Sequence, residues 1–200
     1  MGRTGLFGGT FDPIHNGHVH ALKEFIAECG LDRTIVMPAC VPPHKKFEHS
    51  VSDADRMRMA ELAVGRIAQV SDYEIAKGGK SYTIDTVRHL TLLYPDDELW
   101  LYVGSDMLRS MDGGWYMIDE ILARVTVFCV SREAADTPLL LQSAAHLRAK
   151  FGAKIVLSSA EPLPVSSTQL RLMLRQGLDA SAYLPAEVWQ YIQEKELYRR

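Results

Sequence analysis

Segments with the apolar spacing of strands and of helices alternate along this chain from end to end, which restricts the fold more than any other feature. Arg3-Thr4-Gly5-Leu6-Phe7-Gly8-Gly9-Thr10 reads as a short buried strand that stops on a glycine pair. Gly17 to Cys29 carries Val19, Leu22, Phe25 and Ile26 at helical spacing, with Gly30 as a C′ residue. Thr34 to Pro38 predicts a second strand, and a Pro-rich loop runs from Ala39 to Ser50. Ser52, with Asp55 three residues on, makes a capping-box-like start to a helix reaching about Val64. Ala68 to Ile75 reads as strand, Thr83 to Tyr94 as helix and Leu99 to Val103 as a third core strand. Leu122 to Val130 follows as a strand, with Val125, Val127 and Cys129 alternating, then Pro138 to Phe151 as a helix. Lys154 to Leu157 is a last short strand, before helices over Ser166 to Gln176 and Pro185 to Leu197. This order predicts an α/β fold with a doubly wound parallel sheet and C-terminal helices. One domain over 1–200 is expected, its part from 166 to 200 helical, with no internal repeat or linker.

Composition narrows the function classes. At 47% hydrophobic and 24% charged, 200 residues suit an ordinary globular domain with a sizeable core. A formal net charge of -3 argues against a general nucleic-acid binder. It leaves room for a small anion, which a local cluster of cations and helix N-termini can hold. Cys29, Cys40 and Cys129 are odd in number and widely spaced, so they form neither a disulfide framework nor a zinc pattern. Reduced thiols in a cytoplasmic protein are the expectation. Met1 to Gly9 lacks a basic stretch followed by a long apolar one, and no apolar run approaches membrane-spanning length. A homo-oligomer is compatible with all of this.

The first strand-to-helix turn, Gly8-Gly9-Thr10-Phe11-Asp12-Pro13-Ile14-His15-Asn16-Gly17-His18, carries most of the chemical information. In doubly wound folds ligands bind at the C-terminal ends of strands, near a switch in strand order. Glycines there let backbone N–H groups approach a phosphate without a Cβ in the way. The segment is neither G-x-G-x-x-G nor G-x-x-x-x-G-K-[ST]. Asn16 as N-cap would place His18 in the first helical turn and His15 just before it, where the helix dipole favours anions. Gly17 would leave room for a nucleotide to lie against the helix. Paired imidazoles suit nucleotidyl transfer, which needs donors aimed at the α-phosphate oxygens.

GGTFDPIHNGH resembles the signature of bacterial nicotinate mononucleotide adenylyltransferases, a family of the nucleotidyltransferase superfamily marked by (H/T)xGH. The resemblance covers essentially the whole chain and implies a Rossmann-like fold. Val165-Ser166-Ser167-Thr168-Gln169-Leu170-Arg171 resembles the family's ISSTxIR, with Val and Leu replacing Ile. Read physically, Ser166 with Gln169 is a capping box that opens a helix, and Thr168 shares a face with Arg171. Pro43-His44-Lys45 matches a PHK motif, Ser81-Tyr82-Thr83 a YT motif, and Gly104-Ser105-Asp106 a GxD motif followed by Trp115. The resemblance implies that Gly8, Gly9, Thr10, His15, His18, Lys45, Gly104, Asp106, Ser167, Thr168 and Arg171 bind ATP, with His15 and His18 catalytic. It implies that Thr10, Phe11, His44, Tyr82, Thr83, Trp115 and Arg132 bind the mononucleotide. Arg132 departs from the pattern, because Glu133-Ala134 stands where the family has Pro-Gly. Gly113-Gly114 before Trp115 suggests a sharply bending loop, of the kind that forms a lid.

The implied reaction is attack by the 5′-phosphate of nicotinate mononucleotide on the α-phosphorus of ATP, with Mg²⁺ accompanying ATP and no metal cluster supplied by the protein. Nicotinamide mononucleotide and phosphopantetheine are the alternative acceptors, and a nucleotide-binding sensor is the non-enzymatic alternative. Both histidines and the Ser-Ser-Thr…Arg segment are intact, which favours turnover over sensing.

Overall fold

A computed structural model describes residues 1–42, 50–130, 137–158, 160–161 and 163–199. Along the described chain run β1 (Arg3–Gly9), α1 (Asn16–Cys29), β2 (Arg33–Pro38), α2 (Asp53–Val64), β3 (Gln69–Val70), α3 (Tyr73–Lys77), α4 (Thr83–Leu93) and β4 (Glu98–Gly104). They are followed by α5 (Ser105–Gly114), α6 (Ile118–Arg124), β5 (Val125–Val130), α7 (Thr137–Phe151), β6 (Lys154–Leu157), α8 (Ser167–Arg175), a 3₁₀ turn at Ser181–Tyr183 and α9 (Ala186–Glu194). The six strands pair in parallel in the order β3-β2-β1-β4-β5-β6, the doubly wound order of a Rossmann-like sheet.

Strand alternation divides the core in two. Leu6, Ile35, Met37, Leu99, Leu101, Val103, Val125, Val127 and Cys129 face a layer built with α4, α5, α6 and α7. Phe7, Val36, Phe128 and Val130 face the other way, against α1, α2, α8 and α9. Because side chains on a strand alternate faces, neighbours such as Leu6 and Phe7 feed opposite layers. Burying each of these large apolar side chains contributes about 1.5–3 kcal/mol. Gly5 brings α1 close to β1, since a Cβ there would sit 2.5 Å from Leu31 Cδ1 and 2.9 Å from Phe25 Cε1. Gly30 ends α1 in the left-handed conformation expected of it (φ 56°, ψ 49°), with Leu31 N donating to Ile26 O.

Local expectations differ from the structure at several places. Only Gln69–Val70 of the segment 68–75 pairs with the sheet, and Ile75 lies in α3 after the chain turns at Ser71-Asp72. The fifth strand starts at Val125, because Ile121 and Leu122 are instead the buried residues of α6. The glycine pair expected as a bending loop closes a helix, α5, whose backbone does break at Asp112–Gly113 (Gly113 φ 92°). The N-cap of α1 is His15, one residue earlier than Asn16. Among the described residues no helix is long and apolar enough to cross a membrane.

Candidate active site

In the sheet order, β1 lies between β2 and β4. The helix leaving β1 (α1) buries its apolar residues on one face of the sheet, and the helix leaving β4 (α5) buries Leu108 and Met111 on the other. The two connections diverge, so a crevice opens between the C-terminal ends of β1 and β4. Gly8-Gly9-Thr10 lines one side of that mouth, and Gly104 with the exposed Asp106 at the start of α5 lines the other.

The turn after β1 folds tightly. Phe11 takes a positive φ of 51°, and the Asp12–Pro13 peptide is cis. His15 caps α1 through a reciprocal arrangement in which His18 N donates to His15 Nδ1 (3.3 Å) and His15 N donates to His18 Nδ1 (3.2 Å). The rings stack with centroids 3.6 Å apart and planes 22° off parallel, and the edge of Phe11 abuts His18 at 5.2 Å. This is a capping box built from two histidines. Its chemical consequence follows from imidazole itself. A ring nitrogen that accepts carries no hydrogen, so in both rings the proton sits on Nε2. Both imidazoles thus present an N–H donor at the N-terminus of a helix, where an anion is favoured. Gly17 does not make room for a ligand, because a Cβ there would lie 2.7 Å from Val165 Cγ1 and 3.1 Å from His15 Nδ1. It lets the His15 ring and the segment before α8 close on the helix. Gly8 is the opposite case. A Cβ there would meet nothing within 4 Å, so its smallness is not required by the protein's own packing.

The back of the turn is tied by three side chains from two other helices, α2 and α8. Ser167 Oγ donates to Pro13 O (2.9 Å), Arg171 Nη1 to Asp12 O (2.7 Å) and the fully buried Arg56 Nη1 to Thr10 O (2.6 Å). With Thr10 O and Pro13 O drawn backward, the trans peptides after them aim the N–H groups of Phe11 and Ile14 the other way. Arg171 Nη2 also donates to Thr168 Oγ1 (3.2 Å), confirming that these side chains share a face. Ser166 Oγ accepts from Gln169 N (3.3 Å), the expected cap of α8. Arg56 further donates to Ala39 O (2.7 Å) at the end of β2 and to Asp53 Oδ1 (2.6 Å).

Tyr82 is the N-cap of α4 and Thr83 its first residue, and no side chain caps this helix start. The Tyr82 ring meets that of Tyr116 at 5.2 Å, next in sequence to Trp115, which packs half-buried against the core. Ser81 Oγ accepts from Cys40 N (2.8 Å), tying the start of α4 to the end of β2. Thr86 Oγ1 donates to Glu74 within the same corner, and burial pushes the Glu74 carboxyl above its ordinary range against the hydrogen bonds from Thr86 and Ser81. Among the described residues, no group of three or more His, Cys, Asp or Glu side chains is placed to hold a metal ion.

Residues 6–173 match the family model described as "Cytidylyltransferase-like". A protein of Carboxydothermus hydrogenoformans named "Probable nicotinate-nucleotide adenylyltransferase" is 36% identical over 199 residues, covering 98% of each chain. One of the same name from Chlorobaculum parvum is 40% identical over 207 residues, covering 98% of this chain and 99% of its own. This chain belongs to the nicotinate-nucleotide adenylyltransferase family. It is therefore a nucleotidyltransferase. A solved structure of the Plasmodium falciparum nicotinic acid mononucleotide adenylyltransferase complexed with NaAD superposes with a TM-score of 0.77. That likeness spans 100% of this chain and 98% of the other at 17% identity, and speaks for the fold.

Of the residues singled out from the sequence, Gly8, Gly9, Thr10, Phe11, His15 and His18 fall together in the turn, with Ser167, Thr168 and Arg171 packed behind it. Gly104 and Asp106 stand at the adjacent strand end, Tyr82 and Thr83 open α4 with the Tyr82 ring against Tyr116, and Trp115 precedes Tyr116 in sequence. His44, Lys45 and Arg132 lie outside the described residues. Arg56, Glu74 and Tyr198 belong to no motif of the sequence. The only trace of Arg56 was its place on the face of α2 that also buries Met59, Ala60 and Val64.

Proposed function

We propose that this chain joins the adenylyl group of ATP to the 5′-phosphate of nicotinate mononucleotide, releasing pyrophosphate and giving the deamido form of NAD. The observation that carries this reading is the two-histidine cap at the start of α1, in which each Nδ1 accepts and leaves Nε2 as the donor. The names of the curated relatives and the NaAD complex of the Plasmodium neighbour support the choice of acceptor.

The attacking phosphate is nucleophilic at neutral pH, so alignment and charge stabilisation suffice, with no covalent intermediate. His18 and His15 donate to the α-phosphate oxygens as charge builds there. Gly8, Gly9 and Thr10 offer the nucleotide a surface without bulk, while Lys45 reaches the outer phosphates. Ser167, Thr168 and Arg171 serve the triphosphate from α8. Ser167 and Arg171 also hold the turn through Pro13 O and Asp12 O. A guanidinium has donors enough for both tasks. Mg²⁺ brought with ATP would supply charge neutralisation at the phosphates, as suits an ion that keeps few protein ligands. Asp106 is the carboxylate nearest in kind for that ion or for the sugar, with Gly104 beside it.

For the acceptor, the uncapped start of α4 at Thr83 receives the nicotinate carboxylate, and Tyr82 with Trp115 flanks the pyridine ring. Thr10, Phe11, His44 and Arg132 complete the mononucleotide side. The enzyme works in the cytoplasm as one domain over 1–200, with 166–200 its helical part.

Pyrophosphate release is measured with ATP and Mg²⁺ against nicotinate mononucleotide, nicotinamide mononucleotide and phosphopantetheine in turn. The acid should be preferred at least tenfold in kcat/KM, about 1.4 kcal/mol. Preference for another acceptor would overturn the assignment at α4, and silence with all three, from protein that binds ATP, would favour a sensor. Gly8→Ala tests the phosphate side. The open space around Gly8 predicts an unchanged melting temperature together with a KM for ATP raised about tenfold, because the methyl group takes space used by the nucleotide. An unchanged KM would remove Gly8 from the site.

A further inference from the structure

Tyr198 lies two residues from the end of the sequence and is buried, at 5% exposure. Its backbone has a φ of 66°, a left-handed conformation disfavoured for a residue with a side chain. Its hydroxyl donates to Asp12 Oδ1 at 2.8 Å. Burial and the adjacent Asp12 carboxylate push the phenol far above its ordinary range, so it remains a donor. Asp12 is 1% exposed, and its second oxygen accepts from Ser50 N at 2.9 Å. A buried carboxylate needs its acceptors filled, and here the two donors come from segments far apart in the chain. Apolar burial alone would accept phenylalanine at 198. The hydroxyl is needed only for Asp12.

Asp12 stands between Thr10 and His15, in the turn whose carbonyls are already held by Arg56, Arg171 and Ser167. We propose that Tyr198 is a positioning residue for adenylyl transfer: its hydroxyl, through Asp12, sets the turn that places His15 and His18 at the α-phosphate. This rests on the reading of those histidines given above. The chain's last helix supplies an internal comparison. Tyr191, on α9, donates to Asp55 Oδ1 at 2.9 Å, a link of the same chemistry that reaches α2 and not the turn.

The test compares Tyr198→Phe, Tyr191→Phe and His18→Ala in steady-state kinetics and thermal melts. Tyr198→Phe should lower kcat about tenfold, because the turn that places His15 and His18 loses the bond that holds Asp12. Tyr191→Phe should lower the melting temperature without lowering kcat. The imidazole NMR signals of His15 and His18 should shift in Tyr198→Phe and stay in place in Tyr191→Phe, a readout that needs little active protein. In an Asp12→Asn background, Tyr198→Phe should add no further slowing. Wild-type kcat in Tyr198→Phe, equal slowing in both tyrosine variants, unmoved histidine signals, or additive slowing with Asp12→Asn would each overturn the inference. If His18→Ala is slow while Tyr198→Phe is normal, only the role of Tyr198 falls. If His18→Ala turns over normally, the reading of the site falls first.

Discussion

Replacing His18 with alanine is expected to slow adenylyl transfer a hundredfold or more, a loss of about 3 kcal/mol of transition-state stabilisation. Two contributions add. The Nε2–H donor disappears from the helix N-terminus at the point where negative charge develops on the α-phosphate. The cap is also halved, since His18 Nδ1 no longer accepts from His15 N, and the stacked His15 ring loses the partner that fixes its plane. Loss of a cap acceptor costs about 1 kcal/mol of stability, so the variant should remain folded. His18→Asn keeps a short side-chain acceptor for the cap without the Nε2 donor. It should recover the stability and not the rate. Wild-type turnover by a folded His18→Ala protein would remove the histidine pair from the chemistry.

Replacing Arg56 with methionine should be the most destabilising single change in the site region, at about 3–5 kcal/mol. The guanidinium is fully buried and serves Thr10 O, Ala39 O and Asp53 Oδ1 at 2.6, 2.7 and 2.6 Å. Methionine keeps much of the volume but leaves two backbone carbonyls without their donor, each costing about 1–3 kcal/mol. For a chain of this size, the melting temperature should fall on the order of 10 °C. Its carbonyl partners end β1 and β2, so the residue joins the two loops that rise beside the crevice. Arg56→Lys retains the charge without the fork and should recover only part of the loss. A denaturation midpoint within error of wild type would show that the carbonyls find other donors.

What could be read from the residues depended on whether a local rule and its tertiary outcome agreed. The apolar spacing of β1, β2, β4, β6, α1 and α4 is strong and matched by end signals, so those elements stood out. α5 did not, because it buries only Ser105, Leu108 and Met111 and ends on two glycines that read as a loop. The apolar Leu122-Ala123 merged with the strand that follows, although Leu122 is packed as the last turn of a helix. In the turn, Asn16 is the better cap by type, yet His15 takes the position because His18 returns the bond. The glycines and histidines of the turn and the Ser-Ser-Thr segment are residue types that suit an anion, and the structure packs them around one turn. Arg56 and Tyr198 could not be read in this way. A lone arginine or a tyrosine near a chain end carries no sign that its polar group is buried against a carbonyl or a carboxylate.

The ties behind the turn span very long stretches of sequence. Ser167 reaches Pro13 across 154 residues, Arg171 reaches Asp12 across 159, and Tyr198 reaches Asp12 across 186. β1 and α1 leave the ribosome early, but the bonds that set their junction cannot form until α8 and the last residues follow. Contacts of such high order close late in folding, since loop-closure entropy must be met before they form. A growing chain therefore holds both histidines for most of its synthesis without an organised site around them. Binding of nucleotide at this turn would then report that the final helices have docked.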